Sequence, residues 1–270
     1  MIHPFQEDKN GNLREIWKSL TTAKNVLMTL HPRPDGDSLG SCTAMKSVLE
    51  RFNVRVKLVS KDRISENMEF YNFSKEVEYG TDVENVNLDD FDYVLFLDHG
   101  ALEDFYSPAF TEKLKSHKII NIDHHITNNR YGSMSYVNPN APSTCSVLYD
   151  LFKKQGVNLD RELCLRLIVG ICTDTSFFIH GNSLDSLKKV IDLLEKGKIN
   201  FKADVFDPIM NSPWKLKKFH GILLSNMEKK ELNGKIIAYS WAAKKDVENE
   251  GCSPEYVENT GTEKVLPRIS

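Results

Sequence analysis

The sequence predicts an α/β protein whose parallel sheet carries helices on both faces. Three observations lead to this prediction. Short apolar runs recur through the first two-thirds of the 270-residue chain, stretches with helical periodicity separate them, and the runs are nearly continuous rather than alternating. Strands of that kind are typical of sheets buried on both sides. The predicted strands are Asn25–His31, Val54–Ser60, Tyr93–Asp98, Lys118–Asp123 and Met134–Asn138.

Amphipathic stretches between and after these runs predict the helices. They cover Leu13–Thr22, Ser38–Phe52, Ser107–Ser116, Ser143–Gln155, Arg161–Cys172 and Leu184–Gly197. Serine and aspartate at a helix start accept hydrogen bonds from free backbone N–H groups. Asp37 and Ser38 are therefore predicted to cap the helix after the first strand, and Ser143 the helix that follows Pro142.

The chain changes character after the last of these helices. A polar, partly helical stretch interrupted by two prolines follows, which predicts a connector. Beyond it, one clear strand at Lys235–Trp241 and a helical stretch at Lys244–Gly251 are too little for an independent core. We expect a main domain over residues 1–200, a helical connector over 201–228, and an incomplete α/β domain over 229–270.

Composition narrows the function classes. With 40% hydrophobic and 27% charged residues, the chain is ordinary for a soluble protein. A net charge of -3 gives no indication of binding to long duplex nucleic acid, although it is compatible with a local basic groove. The five cysteines form no CxxC pair, so neither a zinc ribbon nor a disulfide framework is indicated. With no signal-peptide core and no membrane-length apolar run, we expect a cytoplasmic protein without membrane contact.

Four short stretches rich in aspartate and histidine follow apolar runs. They are His31–Asp37, Leu97–His99, Asp123–His125 and Thr173–Thr175. Because the carboxyl ends of parallel strands meet at one edge of a sheet, three of the four are predicted to lie together there. Gathering several carboxylates and imidazoles in a buried place is costly unless cations neutralise them. The pattern therefore predicts a site for two divalent metal ions.

The residue types in these stretches indicate which metal and which chemistry. The candidate ligands are His31, Asp35, Asp37, Asp98, His124 and Asp174. Carboxylate oxygen suits Mg²⁺ and Mn²⁺, and Mn²⁺ also accepts imidazole, so the mixed set favours manganese over calcium or structural zinc. Two such ions about 3.5–4 Å apart activate a water and bind a phosphoryl group. Hydrolysis of a phosphate ester or anhydride is the predicted reaction class.

Each stretch taken alone also has a structural interpretation. Asp35-Gly-Asp37 is a common turn and cap sequence, Asp98 is one aspartate at a strand end, and Asp174 could cap the segment after its helix. The adjacent His124 and His125 are harder to explain by packing. The joint occurrence of these stretches, three of them at strand ends of one predicted sheet, favours the metal site.

Together these motifs resemble the DHH phosphoesterase family, named for the stretch seen here as Asp123-His124-His125. The similarity covers about residues 15–200. It extends over His31-x-x-Pro34-Asp35-x-Asp37-Ser38-x-Gly40-Ser41, Leu97-Asp98, Asn121–Asn128, Ala141–Thr144 and Thr173–Thr175. Within the family, the pattern is most similar to the bifunctional oligoribonuclease and 3'-phosphoadenosine-5'-phosphate phosphatase (nanoRNase) subgroup.

The resemblance implies a role for each ligand. It implies that His31, Asp35 and Asp98 hold one metal and that Asp37, Asp98, His124 and Asp174 hold the second, with Asp98 bridging. Asp98 is thus a catalytic residue as well as a ligand. We expect the ions to be Mn²⁺, with Mg²⁺ or Co²⁺ as alternatives.

Further roles concern residues that are not ligands. His125 is expected to contact the substrate phosphate or handle a proton, and Asp123 to orient an imidazole. Ser143 and Thr144, in the Ser/Thr-rich helix start, are expected to bind substrate. His99 lies outside the shared pattern, and we expect a structural or rim role because neighbours in a strand point in opposite directions.

The sequence departs from the family pattern in two places. After Thr175, relatives continue with a glycine, an aromatic and a basic residue, where this chain has Ser176–His180. Relatives also carry a C-terminal substrate-binding domain with a Gly-Gly-Gly-His loop, and residues 229–270 resemble only the opening of that DHHA1-like domain. We therefore expect a truncated substrate domain and impaired selectivity for short oligonucleotides.

The resemblance implies a manganese-dependent phosphoesterase. Its expected substrates are short single-stranded RNA, linear dinucleotides or 3'-phosphoadenosine 5'-phosphate, and a homodimer is compatible with the family. Two alternatives stay open: an inorganic pyrophosphatase-like hydrolase, and a non-catalytic nucleotide-binding module, which the shortened C-terminal domain suggests.

Overall fold

The computed structural model describes residues 13–180, 184–211, 214–232, 234–249 and 251. These described residues divide into two units, one within residues 13–64 and 68–208, the other within residues 65–67 and 209–251. Among the described residues, no helix combines the length and the apolar character needed to span a membrane.

A parallel sheet of six strands forms the centre of the first unit. Its strands are β1 (Asn25–Thr29), β2 (Arg55–Ser60), β3 (Glu78–Tyr79), β4 (Tyr93–Leu97), β5 (Ile119–Asp123) and β6 (Met134–Val137). They are arranged in the order β3-β2-β1-β4-β5-β6. The order reverses between β1 and β4, and sheets of this type bind ligands in the crevice beyond the carboxyl ends of the strands at such a point.

In its described part, the first unit contains six longer helices. They are α1 (Leu13–Thr21), α2 (Gly36–Arg51), α3 (Pro108–Leu114), α4 (Thr144–Lys154), α5 (Arg161–Asp174) and α6 (Leu184–Gly197). Of these, α2 and α3 connect strands of the sheet. Short 3₁₀ turns lie at Met68–Phe70, Asn72–Glu76, Val83–Asn85, Leu88–Asp90 and Leu102–Asp104. A π-helical segment, Phe201–Phe206, leads into the short helix α7 (Asp207–Met210).

Helices cover both faces of the sheet, as predicted. On one face, Phe110 and Leu114 of α3 pack in a cluster with Leu27, Phe96 and other strand residues. Side chains next to these in the strands, such as Met28, are also fully buried and point the other way. That second face is where α2 and α4 contact the strands. The predicted α/β class is confirmed, and the five strands predicted for this sheet agree with the observed ones to within two residues at each end.

The second unit contains two helices and a two-stranded sheet. Its elements are α8 (Trp214–Ser225), β7 (Glu228–Leu232), β8 (Lys235–Tyr239) and α9 (Lys244–Asn249). The two strands pair antiparallel and are exposed along their whole length. Leu216 and Phe219 of α8 are buried against Leu223, Ala242 and Val247. The division at residues 200 and 228 and the truncated DHHA1-like character of 229–270 stay predictions.

Candidate metal centre and active site

The candidate site lies where the order of the sheet reverses. His31 follows β1 by two residues, and Asp98 follows β4 directly. The two side chains face each other, with 3.7 Å between His31 Nε2 and Asp98 Oδ2. His124 follows the next strand, β5, and reaches the other carboxylate oxygen, with 3.5 Å between Nε2 and Asp98 Oδ1. Asp98 is 3% exposed, and each of its two carboxylate oxygens faces one imidazole.

A first group of potential ligands is formed by His31, Asp35 and Asp98, whose ligand atoms lie within 4.8 Å of one another. His31 Nε2 is 3.6 Å from Asp35 Oδ1. That same oxygen caps α2, because it accepts hydrogen bonds from the backbone N–H groups of Asp37 and Ser38, both at 3.0 Å. The predicted cap at Asp37 and Ser38 is thus wrong by two residues. Asp37 instead lies inside the first turn of the helix.

A second group comprises Asp37, His124 and Asp174. Asp37 is fully buried, and its carboxylate accepts hydrogen bonds from the backbone N–H groups of Thr144 at 2.6 Å and Cys145 at 2.9 Å. These N–H groups belong to the first turn of α4, where the helix dipole also favours a negative charge. Asp174 is the last residue of α5 and approaches His124 Nε2 to 3.3 Å. Three helices and a strand therefore converge on this group.

His124 shows that the arrangement suits a cation. Its Nδ1 lies 3.3 Å from the carbonyl oxygen of Ala141, to which it donates a hydrogen bond as Nδ1–H. Its Nε2 is buried and makes no hydrogen bond with any described residue. A buried nitrogen without a partner costs free energy, and a metal ion in contact with its lone pair would remove that cost. The donor set of imidazole and carboxylate around this atom fits a divalent transition metal.

The pKa values at the site reflect an excess of negative charge. Burial, with the nearby charges of Asp98 and Asp174, raises the pKa of Asp37 well above its usual range. Burial also raises the pKa of Asp174 to about 7. For His124, burial lowers the pKa, but the surrounding carboxylates outweigh it and raise the value to about 10. Without a cation, the site therefore holds protons that a metal would replace.

His125 and Asp123 form a hydrogen-bonded pair beside these groups. His125 Nδ1 lies 2.7 Å from Asp123 Oδ1, and Asn128 Nδ2 donates to Asp123 Oδ2 at 2.6 Å. Asp123 is fully buried, whereas the His125 side chain is 44% exposed. Although burial alone raises the pKa of Asp123, these hydrogen bonds lower it overall. Because Asp123 occupies Nδ1, Nε2 is the His125 nitrogen left for a substrate.

Ser143 and Thr144 are both fully buried, and their contact with substrate stays a prediction. Ser143 Oγ caps α4 by accepting a hydrogen bond from the backbone N–H of Ser146 at 3.0 Å, as predicted for the cap. The Thr144 hydroxyl donates to Asp98 Oδ1 at 3.0 Å. Their geometry therefore indicates that they position Asp98 and the start of α4.

His99 is part of the core beneath the site. It is fully buried, with Nδ1 at 2.8 Å from the carbonyl oxygen of Leu97 and Nε2 at 2.9 Å from the Tyr106 hydroxyl. Burial lowers its pKa to about 4, so the ring is neutral, donating through Nδ1–H and accepting at Nε2. Of the two roles considered, the structural one agrees with these contacts.

Two residues at the site received no role from the sequence. Asn128 anchors Asp123 and also donates to Asn121 Oδ1 at 2.9 Å. Gly170 lies inside α5, where a Cβ atom would be 2.6 Å from Asp37 Oδ1. A glycine within a predicted helix was the available signal, because it lowers helix propensity and so implies a packing reason.

Comparison with known proteins agrees with this geometry. The model of the DHH family, N-terminal domain, matches residues 25–171, more than half of the chain. The chain belongs to the DHH family, as its motifs predict.

Individual relatives give further similarities. The bifunctional oligoribonuclease and PAP phosphatase NrnA of Thermus thermophilus is 27% identical over 198 residues, 68% of this chain and 56% of that protein. A probable manganese-dependent inorganic pyrophosphatase of Thermotoga maritima is 33% identical over 118 residues, 42% of this chain and 19% of that protein. The chain therefore spans little more than half the length of the Thermus protein.

One solved structure shows a similar fold. The exopolyphosphatase-related protein from Bacteroides fragilis superposes with a TM-score of 0.78 at 20% identity. The superposition covers 94% of this chain and 77% of that chain.

Proposed function

We propose that the protein is a metal-dependent phosphoesterase that hydrolyses small nucleotides: short oligoribonucleotides, linear dinucleotides or 3'-phosphoadenosine 5'-phosphate. The observation that carries the proposal is the position of Asp98, which directs Oδ2 toward His31 and Oδ1 toward His124. A buried carboxylate that offers one oxygen to each of two ligand groups can hold two metal ions close together, as two-metal hydrolysis requires. Membership of the DHH family and the similarity to the Thermus oligoribonuclease support the substrate class.

We assign the potential ligands to two sets that share Asp98. One ion would be held by His31, Asp35 and Asp98, and the other by Asp37, Asp98, His124 and Asp174. When bound, such a pair of ions activates a water molecule and neutralises the oxygens of the phosphoryl group. The mix of imidazole and carboxylate favours Mn²⁺, with Mg²⁺ or Co²⁺ as alternatives.

The chain's own residues supply orientation and a proton. Two backbone N–H groups of α4 fix Asp37, and the Thr144 hydroxyl restrains Asp98. The hydrogen bond to Asp123 raises the pKa of His125, which favours a protonated ring. His125 is thereby suited to donate a hydrogen bond or a proton from Nε2 to a phosphate oxygen as negative charge develops there.

Pyrophosphate hydrolysis is the second candidate. The similarity to the Thermotoga pyrophosphatase favours it, because the two reactions use the same kind of metal centre. A non-catalytic nucleotide-binding role agrees less well with the complete set of six ligand candidates, since such a cluster is costly to keep without a function.

Hydrolysis of three substrates in the presence of Mn²⁺ tests the proposal. We expect the purified chain to cleave the dinucleotide ApA and 3'-phosphoadenosine 5'-phosphate faster than pyrophosphate. Asp98→Asn should lower that turnover by about a hundredfold or more. The matched control is Asp90→Asn, an exposed aspartate just before β4, which should leave turnover unchanged.

Three results would contradict parts of this proposal. Faster hydrolysis of pyrophosphate would favour the second candidate. No turnover of any substrate would refute a hydrolase. Full activity of Asp98→Asn would refute the shared role of that carboxylate.

A further inference from the structure

A cavity of about 270 Å³ opens beside the candidate metal centre. Residues just after β1 and β2 line it, among them Leu30 and Pro32, which flank His31 in the sequence. Phe105 also lines it, and its ring stacks on the His31 imidazole with 6.1 Å between centroids and 22° between planes. None of the six candidate metal ligands lines this cavity. It is therefore a neighbouring space that a molecule held at the metal centre could reach.

The size of the cavity limits what it can hold. Sites for drug-sized molecules occupy about 300–1,000 Å³. A space just below that range suits one ring system but not a whole dinucleotide. The half-buried Phe105 gives this space an aromatic wall.

Two polar groups at the cavity have unused hydrogen-bonding capacity. Arg33 has a left-handed backbone, with φ at 56°, and its N–H donates to Asp62 Oδ2 at 2.8 Å. This turn keeps Arg33 at the cavity, while its guanidinium forms no hydrogen bond or ion pair within the described part of the chain. Oδ1 of Asp62 likewise receives no hydrogen bond from the described residues. The other carboxylates of the lining are engaged, Asp82 with Lys61 and Glu84 with Ser107.

We propose that this cavity is a subsite for one nucleobase of the substrate and that it prefers bases with an exocyclic amino group. The inference rests on the proposed function, which puts the attached phosphate at the metal centre. An aromatic ring and a planar guanidinium both stack on base faces, which suits Phe105 and Arg33. The carboxylate of Asp62 can accept from the amino group of cytosine or adenine. Uracil presents a carbonyl oxygen instead, which a carboxylate repels.

Binding of three small ligands tests the subsite without turnover. In calorimetric titrations with Mn²⁺ present, we expect CMP to bind about tenfold more tightly than UMP, because cytosine presents an amino donor at the position where uracil presents a carbonyl oxygen. Ribose 5-phosphate, which has no base, should bind more weakly than CMP. Equal affinities for all three ligands would overturn the subsite.

Substitutions then assign the preference to the cavity. Phe105→Leu removes the stacking ring, and Arg33→Asn removes the guanidinium while keeping a residue that tolerates positive φ. Each should weaken CMP binding about tenfold more than it weakens ribose 5-phosphate binding. Matched controls are Phe70→Leu and Arg55→Asn, exposed residues away from the cavity, which should bind CMP as the wild type does. Variants that bind CMP as the controls do would also overturn the subsite.

Hydrolysis of CpC and UpU separates the two proposals. We expect a higher kcat/KM for CpC, lost in Phe105→Leu and Arg33→Asn. Equal kcat/KM values for the two dinucleotides would refute the base preference and leave the phosphoesterase proposal standing. If neither dinucleotide is cleaved, the dinucleotide part of the proposed function fails, and the titrations with CMP still decide whether the cavity binds a base.

Discussion

Replacing Gly170 with alanine is expected to disturb the metal centre by displacing Asp37. Gly170 lies in α5, and a Cβ atom there would be 2.6 Å from Asp37 Oδ1 and 2.2 Å from Cys145 Sγ. Asp37 cannot move freely, because two backbone N–H groups of α4 hold its carboxylate. Either that carboxylate shifts away from His124 and Asp174, or α5 moves away from α4.

The expected cost follows from two opposing effects. Overpacking a buried position costs about 1–3 kcal/mol, whereas alanine in place of glycine inside a helix gains up to about 1 kcal/mol. We therefore expect Gly170→Ala to lower the free energy of unfolding by about 1 kcal/mol. Gly221→Ala in α8 is the matched control. No heavy atom lies within 4 Å of its Cβ position, so only the gain in helix propensity applies.

Two assays measure the effect of these glycine substitutions. Urea unfolding without metal gives the change in stability, and calorimetric titration with Mn²⁺ gives the affinity. We expect Gly170→Ala to bind Mn²⁺ about tenfold more weakly, as for other residues that support metal ligands, and Gly221→Ala to bind like the wild type. If Gly170→Ala matches Gly221→Ala in both assays, the inference that Gly170 positions Asp37 is refuted.

Three other buried groups give further predictions. The pKa of His99 is about 4 in the folded protein, below its usual 6.5. The neutral His99 therefore contributes to the free energy of unfolding above pH 6.5, and this contribution is lost as the pH falls toward 4. Urea unfolding at several pH values should show the loss in the wild type and less of it in His99→Asn. Asp123→Asn removes the carboxylate that is hydrogen-bonded to His125. It should lower kcat about tenfold or more with little change in KM and should shift the pH profile of kcat. An unchanged pH profile would exclude the orienting role of Asp123. Glu76→Gln, which leaves Arg166 buried without the carboxylate now 2.5 Å away, should cost about 3 kcal/mol in urea unfolding, and adding Arg166→Met should recover most of it.

The strands that sequence patterns predicted are those with strong apolar signals. Continuous apolar runs located β1, β2, β4, β5 and β6, because strands buried on both faces leave little ambiguity. β3 has only two residues, at the edge of the sheet, and offers no such run. β7 reads Glu-Lys-Lys-Glu-Leu and is exposed throughout, so neither burial nor alternation marks it. The turn before its partner β8 includes Gly234, with φ at 74°.

Motifs predicted which residues belong to the site, while the contacts between them required the structure. The rule that strand ends share one edge brought His31, Asp98 and His124 together. Sequence spacing does not show that Thr144 is buried against Asp98 or that Asp35 rather than Asp37 caps α2. Those contacts join segments distant in the chain or depend on the backbone geometry of one turn. Periodicity and composition therefore do not predict these contacts.

The number of Mn²⁺ ions bound per chain decides whether Asp98 joins two metal sites. A calorimetric titration of the metal-free protein, with the ion content checked after gel filtration, should show two Mn²⁺ per wild-type chain. Asp98→Asn should bind fewer ions or bind both far more weakly, while Asp90→Asn should behave as the wild type. A single site in the wild type, or two undiminished sites in Asp98→Asn, would contradict a two-metal centre built around Asp98.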